Sequence, residues 1–401
     1  MMRRLGEVTL MRYLTNAASE STICKAGVRP RPTGDPHPDT DRARSYGDFG
    51  PRGDGHGRTA SERICHGISQ HARVRPMQLI DLLTSNHTIL LPSSQNTGDQ
   101  SINLTSPDSL TTPPRHNGSI SPHLWRTGKQ GGAVINTLVT DNADFDILAV
   151  TRNPSSASAQ RVTSKSSRIK LVEGDLADPS LVLKTAQAIS GAPIWGVFSV
   201  QVGIGAGAGD EQRQGQGLVD ASLAAGVSFF VYTSVDRHGD RSATNPTDVP
   251  HFIHKQAIEK HLMARAAGTP MAWTILRPVA FMENLTDDFF GRVFPTAWRR
   301  GAGGARLQLV AVSDIGVFAA RAFAQPEAWA GRAVSLAGAN PTLDEFAAIF
   351  KRSAGRDLPY ANGILVSIIR WLMNDFGSMF RWFADEGYDA DIEALRKIPP
   401  P

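Results

Sequence analysis

The sequence predicts a doubly wound α/β fold, a mostly parallel sheet covered by helices on both faces. From Gly128 onward, short continuous apolar runs alternate with longer stretches of helical spacing, as expected of buried strands and the helices that cover them. A glycine cluster, "TGKQGG" (Thr127 to Gly132), heads that alternation, where such a fold turns from a strand into a helix. Residues 128–401 contain no cysteine, so apolar burial holds the domain, without a disulfide framework or a thiolate metal site.

In order, "GKQGGAVINTLVTDN" reads as a helix and "FDILAVTRNP" as a strand ending at Arg152. "SASAQRVTSK" is a poor helix, "IKLVEGDL" a strand, and "DPSLVLKTAQAIS" a helix with Asp178 at or near its N-cap. "IWGVFSVQ", "SFFVYTSV" and "AWTILRP" are strands, separated by the helices "DEQRQGQGLVDASLAAG" and "HKQAIEKHLMARAAG". After Pro278 the pattern loosens. "TDDFFGRVF" is helical, "LQLVAV" a strand, "SDIGVFAARAFAQP" a helix, "GRAVSLAG" a strand, and "TLDEFAAIFKRSAG" a helix with Thr342 as N-cap candidate. The boundaries that follow are a Rossmann-like core over 128–280 and a smaller C-terminal α/β lobe over 281–401, set over the carboxyl edge of the sheet where ligands of such folds bind.

Residues 1–124 have another texture, rich in Arg, Pro, Ser, Thr, Gly and His, and are expected to be a disordered low-complexity extension. They hold Cys24 and Cys65. Residues 1–127 carry 15 Lys+Arg against 11 Asp+Glu, while residues 128–401 carry 27 of each, so the basic surplus lies outside the patterned domain and argues for no nucleic-acid partner. The first residues interleave Arg3, Arg4 and Arg12 with apolar ones, as a presequence does, but Glu7 opposes that reading. No apolar run is long enough to span a membrane; "GILVSIIRWLM" is broken by Arg370 and reads as an amphipathic helix. The expected location is cytoplasm, nucleus or both.

Several residues can carry chemistry. The backbone at Gly128 can approach a pyrophosphate, with helix amides and a positive dipole end behind it. Arg152 ends the second strand with no acid beside it, which favours NADP(H) over NAD(H); its plain alternative is an exposed arginine at a strand end. Asp175 either accepts a hydrogen bond from an adenine amino group or serves the following helix start. The fourth strand delivers Ser199 and Gln201 to the sheet edge, ahead of "GIGAGAG", a loop. In short-chain reductases a Tyr and a Lys stand four apart on a helix, the lysine holding the nicotinamide ribose and lowering the tyrosine pKa. Here the spacing survives as His251 and Lys255, and the tyrosine does not. His251 is either an acid–base group or an ordinary histidine at a helix start. His251, His254 and His261 lack acidic or thiol ligands at matching spacing, so no metal site is expected. A Ser-His-Asp hydrolase lacks its G-x-S-x-G elbow. The tail aromatics Trp371, Phe376, Phe380, Trp382 and Phe383 suit either a core or a partner surface.

From Gly128 to about Lys397 the chain resembles the NmrA-like family of atypical short-chain dehydrogenases. "GKQGG", "VTRNP", "GDLADP", "AAGVSFFVYTSVDR", "VPHFIHKQAIEKHL", "WTILRPVAFMENL" and "FRWFADEGYDADIEALRK" carry the resemblance in fixed order. It implies a Rossmann-like domain that binds NADP(H), with phosphate contacts from Gly128, Lys129, Gln130 and Gly131, a 2′-phosphate contact from Arg152, and nicotinamide-side contacts near Lys255 and Asn284. It also implies two roles known in the family: repression of fungal nitrogen metabolism through a GATA-type transcription factor, or sensing of the NADPH/NADP balance. The missing tyrosine favours such a dinucleotide-responsive regulator acting through protein partners; the alternative is an NADPH-dependent oxidoreductase using Lys255 and His251. Neither substrate nor oligomeric state follows from the sequence.

The family opens with an apolar strand running into "GATGKQGG", whereas Trp125, Arg126 and Thr127 fill the first three positions here. That strand belongs at the centre of the sheet. Its loss predicts a missing or replaced first strand, and a further alternative, a truncated product with impaired cofactor binding. The upstream "HTILLPSS" is a poor substitute on sequence grounds, because of Pro92 and its distance from Gly128. Residues 1–124 are accordingly expected to reflect a misassigned coding start or splice junction, or a divergent fragment.

Overall fold

The computed structural model describes residues 89–92, 129–201, 203 and 209–398. Except for Ile89–Pro92, the expected disorder of residues 1–124 falls outside the described residues. A seven-stranded sheet of order β3-β2-β1-β4-β5-β6-β9 forms the core, from β1 (Ile89–Pro92), β2 (Ile147–Thr151), β3 (Ile169–Glu173), β4 (Ile194–Ser199), β5 (Phe229–Thr233), β6 (Ala272–Pro278) and β9 (Arg332–Leu336). All neighbours pair in parallel except β1, which is antiparallel to both β2 and β4.

The upstream segment therefore does replace the central strand, contrary to the sequence argument against it. Leu90 sits opposite Leu148 on one side and Val197 on the other, fully buried. Without it, β2 and β4 would turn unpaired backbone groups toward each other in the interior. The proline is tolerated for a local reason. Pro92 is the last strand residue, where the register with β4 shifts, so its missing N–H breaks no continuing ladder. Antiparallel pairing places Ile89 level with Phe198 near the carboxyl end of β4, and Pro92 level with Ile194 at its start.

Alternation along the buried strands feeds two cores. In β5, Phe229 and Val231 face α1 (Lys129–Thr140), α2 (Ala157–Thr163), α7 (Val312–Ala324) and α8 (Pro326–Trp329). Phe230 and Tyr232 face α3 (Pro179–Ser190), α4 (Asp210–Ala224) and α5 (Pro250–Ala266). α7 lies so close to α1 that a Cβ on Gly316 would stand 2.5 Å from the Ala133 carbonyl carbon, an approach only glycine permits. The Asp178 side chain caps α3, accepting from Leu181 N at 3.0 Å.

A third core gathers α6 (Phe289–Gly301), α9 (Leu343–Ala354), α10 (Gly363–Leu372) and α11 (Asn374–Asp385), beside the short ladder of β7 (Ala280–Phe281) and β8 (Leu309–Val310). Thr342 opens α9 with a full capping box, reciprocated by Glu345. The lobe is not continuous in sequence: between α6 and α9 the chain returns to the main core as α7 and then as β9, the seventh strand. α12 (Ile392–Arg396) closes the described chain. Among the described residues no helix is long and apolar enough to cross a membrane.

Candidate functional site

α5 opens with Pro250 in its first turn, and His251, Lys255 and Glu259 recur every four residues, so they share its inward face. Their exposures are 8%, 9% and 1%. Glu259 anchors that face. Its carboxylate accepts from Arg237 Nη2 at 2.9 Å and from Arg277 Nε and Nη2 at 3.1 and 2.7 Å. Burial alone would raise its pKa, but the two guanidiniums outweigh that and hold it below the usual carboxylate range. Arg237 is fully buried and also donates to Val235 O and Ser242 O. This triad ties α5 to β6 and to the segment after β5, and no pattern in the sequence had marked it.

One turn earlier, Lys255 Nζ lies 2.9 Å from Glu211 Oε1, and His254 Nδ1 lies 3.8 Å from Glu211 Oε2. Glu211 comes from the first turn of α4 and is 1% exposed. The nearby Glu211 carboxylate pushes the His254 pKa up against the effect of partial burial. His251 Nδ1 pairs with Asp375 Oδ1 from the first turn of α11. The ring stands over the chain leaving β4: a Cβ on Gly203 would meet His251 Cβ at 3.3 Å. Its Nε2 has no partner among the described residues. The three histidines of this helix turn to three different acids, Asp375, Glu211 and Asp220, and so share no ligand set.

α1 brings the residues expected at the phosphates to the same edge, although Gly128 itself lies outside the described residues with Trp125. Gly131 is buried in its first turn and Gln130 Oε1 is buried without a hydrogen-bond partner among the described residues. Lys129 Nζ donates to Glu283 O at 2.7 Å, which joins α1 to the "FMENL" segment. Burial lowers the Lys129 pKa against the pull of Glu283 and Asp288.

Glu283, one residue before the expected Asn284, is a residue the sequence reading missed. Its Oε1 accepts from Val312 N at 3.0 Å and so serves the start of α7, while Oε2 is buried without a partner among the described residues. Burial pushes its pKa from 4.5 up to about 7, against the lowering effects of Val312 N–H and Lys129. The sign follows from linkage. A carboxyl whose folded pKa is raised favours the protonated fold, so the stability it confers is complete below pH 4.5 and is lost as pH rises through about 7. Glu283→Gln should remove a penalty on the order of 3 kcal/mol at pH 8 and leave pH 4 stability nearly unchanged. Urea unfolding of both proteins at the two pH values measures it, and parallel pH curves would refute the assignment.

At the far side, Arg152 is exposed just beyond β2, with no ion-pair partner among the described residues. Asp175 is exposed; its Oδ1 accepts from Ala177 N at 2.8 Å, and the capping of α3 falls to Asp178. Gln201, just past β4, is 1% exposed; Ser199 Oγ accepts from its Nε2 at 2.8 Å, and its Oε1 has no partner among the described residues. Asn284 is exposed at the end of a single 3-10 turn. A cleft of about 840 Å³ opens elsewhere, between β9 and α12, lined by Arg277, Arg332 and Asp391 among others and bordering neither His251 nor Lys255.

The sequence model described as "NmrA-like family" matches residues 126–398. An NmrA-like family domain-containing oxidoreductase, FrzB, of Cladobotryum sp is 26% identical over 260 residues, covering 58% of this chain and 73% of that protein. Quinone oxidoreductase 2 of Escherichia coli is 25% identical over 237 residues, covering 59% of this chain and 75% of that one. Among solved structures, an Escherichia coli NADPH-dependent quinone oxidoreductase complexed with NADPH aligns with TM-score 0.49 and 22% identity, over 67% of this chain and 96% of that chain.

Proposed function

This chain belongs to the NmrA-like family, and from that premise we propose that it is an NADP(H)-dependent reductase in which His251 holds the transferable proton and Lys255 holds the cofactor ribose. The names of its relatives support the reaction class: one is called an oxidoreductase, another a quinone oxidoreductase. The observation that carries the proposal is the arrangement of α5, which presents His251 and Lys255 one turn apart at the carboxyl edge, each steadied by an acid from another element.

The residues present fit a dinucleotide. Gln130 Oε1 and Gln201 Oε1 are buried acceptors awaiting donors. The first turn of α1, with Lys129, Gln130 and Gly131, offers amides to a pyrophosphate. Arg152 is free for a 2′-phosphate, and Asp175 retains a carboxylate oxygen for an adenine amino group. Lys255 has three donors, of which Glu211 engages one side, leaving others for ribose hydroxyls. When bound, the dinucleotide supplies a hydride. The chain supplies the proton: Asp375 keeps Nδ1 of His251 as a donor, so the acidic proton sits on Nε2, and its transfer leaves a neutral ring still bonded to Asp375.

Titration with NADPH, NADP and NADH is the direct test, paired with NADPH oxidation in the presence of quinones. Arg152→Ala should weaken NADPH about 10–100-fold and leave NADH unchanged, the cost of one charge-assisted phosphate contact. Equal losses for both would remove Arg152 from the 2′-phosphate. Failure of all three nucleotides to bind would overturn the reading and favour a product impaired in cofactor binding.

A second reading, a dinucleotide-responsive regulator acting through a protein partner, is favoured by the histidine that stands four residues before Lys255, where short-chain reductases carry a tyrosine. Under that reading NADP(H) binds and no substrate drives its oxidation.

A further inference from the structure

α10 is the most exposed apolar element of the described chain. Asn362 starts it, its side chain accepting from Ile364 N and Leu365 N, and of its ten residues only Val366 is buried. Ile364, Leu365, Ile368, Trp371 and Leu372 are 70%, 42%, 48%, 82% and 67% exposed. Their spacing places all five on one stripe three turns long. The other side of the helix packs on α6 and α11, with Arg370 turned inward against Gly301. By side-chain size the stripe presents on the order of 600 Å² of apolar surface, the upper end of what a monomer ordinarily leaves uncovered.

We propose that this stripe is the contact between two copies of the chain, α10 pairing antiparallel with α10 about a twofold axis. Two features select a second copy as the occupant. The stripe carries no charge, and positions 364/365, 368 and 371/372 repeat as a two-helix seam does, so the surface complements itself. Two stripes face to face remove on the order of 1,200 Å² from water, enough for a specific interface. A lipid surface fits less well, because helices that lie on membranes line their polar face with Lys and Arg. The packed side of α10 is Val366, Ile369 and Arg370, and its exposed side carries neither Lys nor Arg.

Sedimentation velocity of the full chain across the micromolar range tests this. The wild type should sediment as a dimer. Trp371→Glu and Ile368→Glu should each weaken association at least about 30-fold, and Trp371→Phe should retain it. Both glutamates sit on exposed positions, and unchanged far-UV circular dichroism and melting would show that the loss is one of contact, not of folding. A monomeric wild type overturns the proposal; if that monomer floats with phosphatidylcholine–phosphatidylserine vesicles, the stripe is a lipid-binding face. A dimer that both glutamate variants leave intact overturns it too.

Discussion

Leu90→Ala is expected to lower the free energy of unfolding by about 3 kcal/mol, and Leu90→Asp to leave no cooperatively folded chain. The size follows from position. Leu90 is fully buried in the core shared by Leu148, Val150, Val197 and Phe230, at the middle of the sheet. Truncation leaves a cavity that β2 and β4 cannot close, since their separation is fixed by the backbone of β1 between them. An aspartate there buries a charge with no cation among its core neighbours. Urea unfolding followed by far-UV circular dichroism measures the loss. A change below about 0.5 kcal/mol, the size of an ordinary surface effect, would place β1 outside the sheet.

The second large effect is catalytic. His251→Ala should lower kcat for NADPH-dependent reduction about 10²–10⁴-fold with little change in the KM for NADPH, because the ring is assigned a proton and no contact with the nucleotide. Lys255 should show the other signature, a raised KM for NADPH together with a lower kcat. Its removal needs care. Lys255→Met alone strands the Glu211 carboxylate, which is 1% exposed, and buried charges left unpaired cost about 3–5 kcal/mol. Lys255→Met combined with Glu211→Gln keeps the interior neutral and isolates the functional loss. A His251→Ala enzyme with unchanged kcat would remove the imidazole from the reaction.

Strands β2, β4 and β5 were legible because each is a nearly continuous apolar run, and such runs state burial on both faces. The caps at Asp178 and Thr342 were legible because capping is chemistry within one turn. β1 was not. Four residues ending in proline carry no periodicity, and nothing local records that a gap between two distant strands is waiting for them. The candidate site divides in the same way. His251 and Lys255 followed from helical spacing, but Asp375 is 124 positions from His251 and meets it only after the lobe folds back. Glu283 looks like any glutamate until Val312 and Lys129 are brought to it. Gln201 followed from the end of the fourth strand, but its bond to Ser199 shows only in the folded chain.

The reversed central strand separates membership of a sheet from direction of travel. Parallel and antiparallel ladders both join N–H to C=O, so the groove between β2 and β4 selects a short apolar stretch and is indifferent to which way it runs. In sequence this strand is separated from the next described element by residues 93–128. Two molecules can therefore exchange this strand, each completing the other's sheet with the same contacts it would make at home. Strand exchange is the characteristic error open to this fold, and a synthetic peptide of the same stretch is its natural competitor.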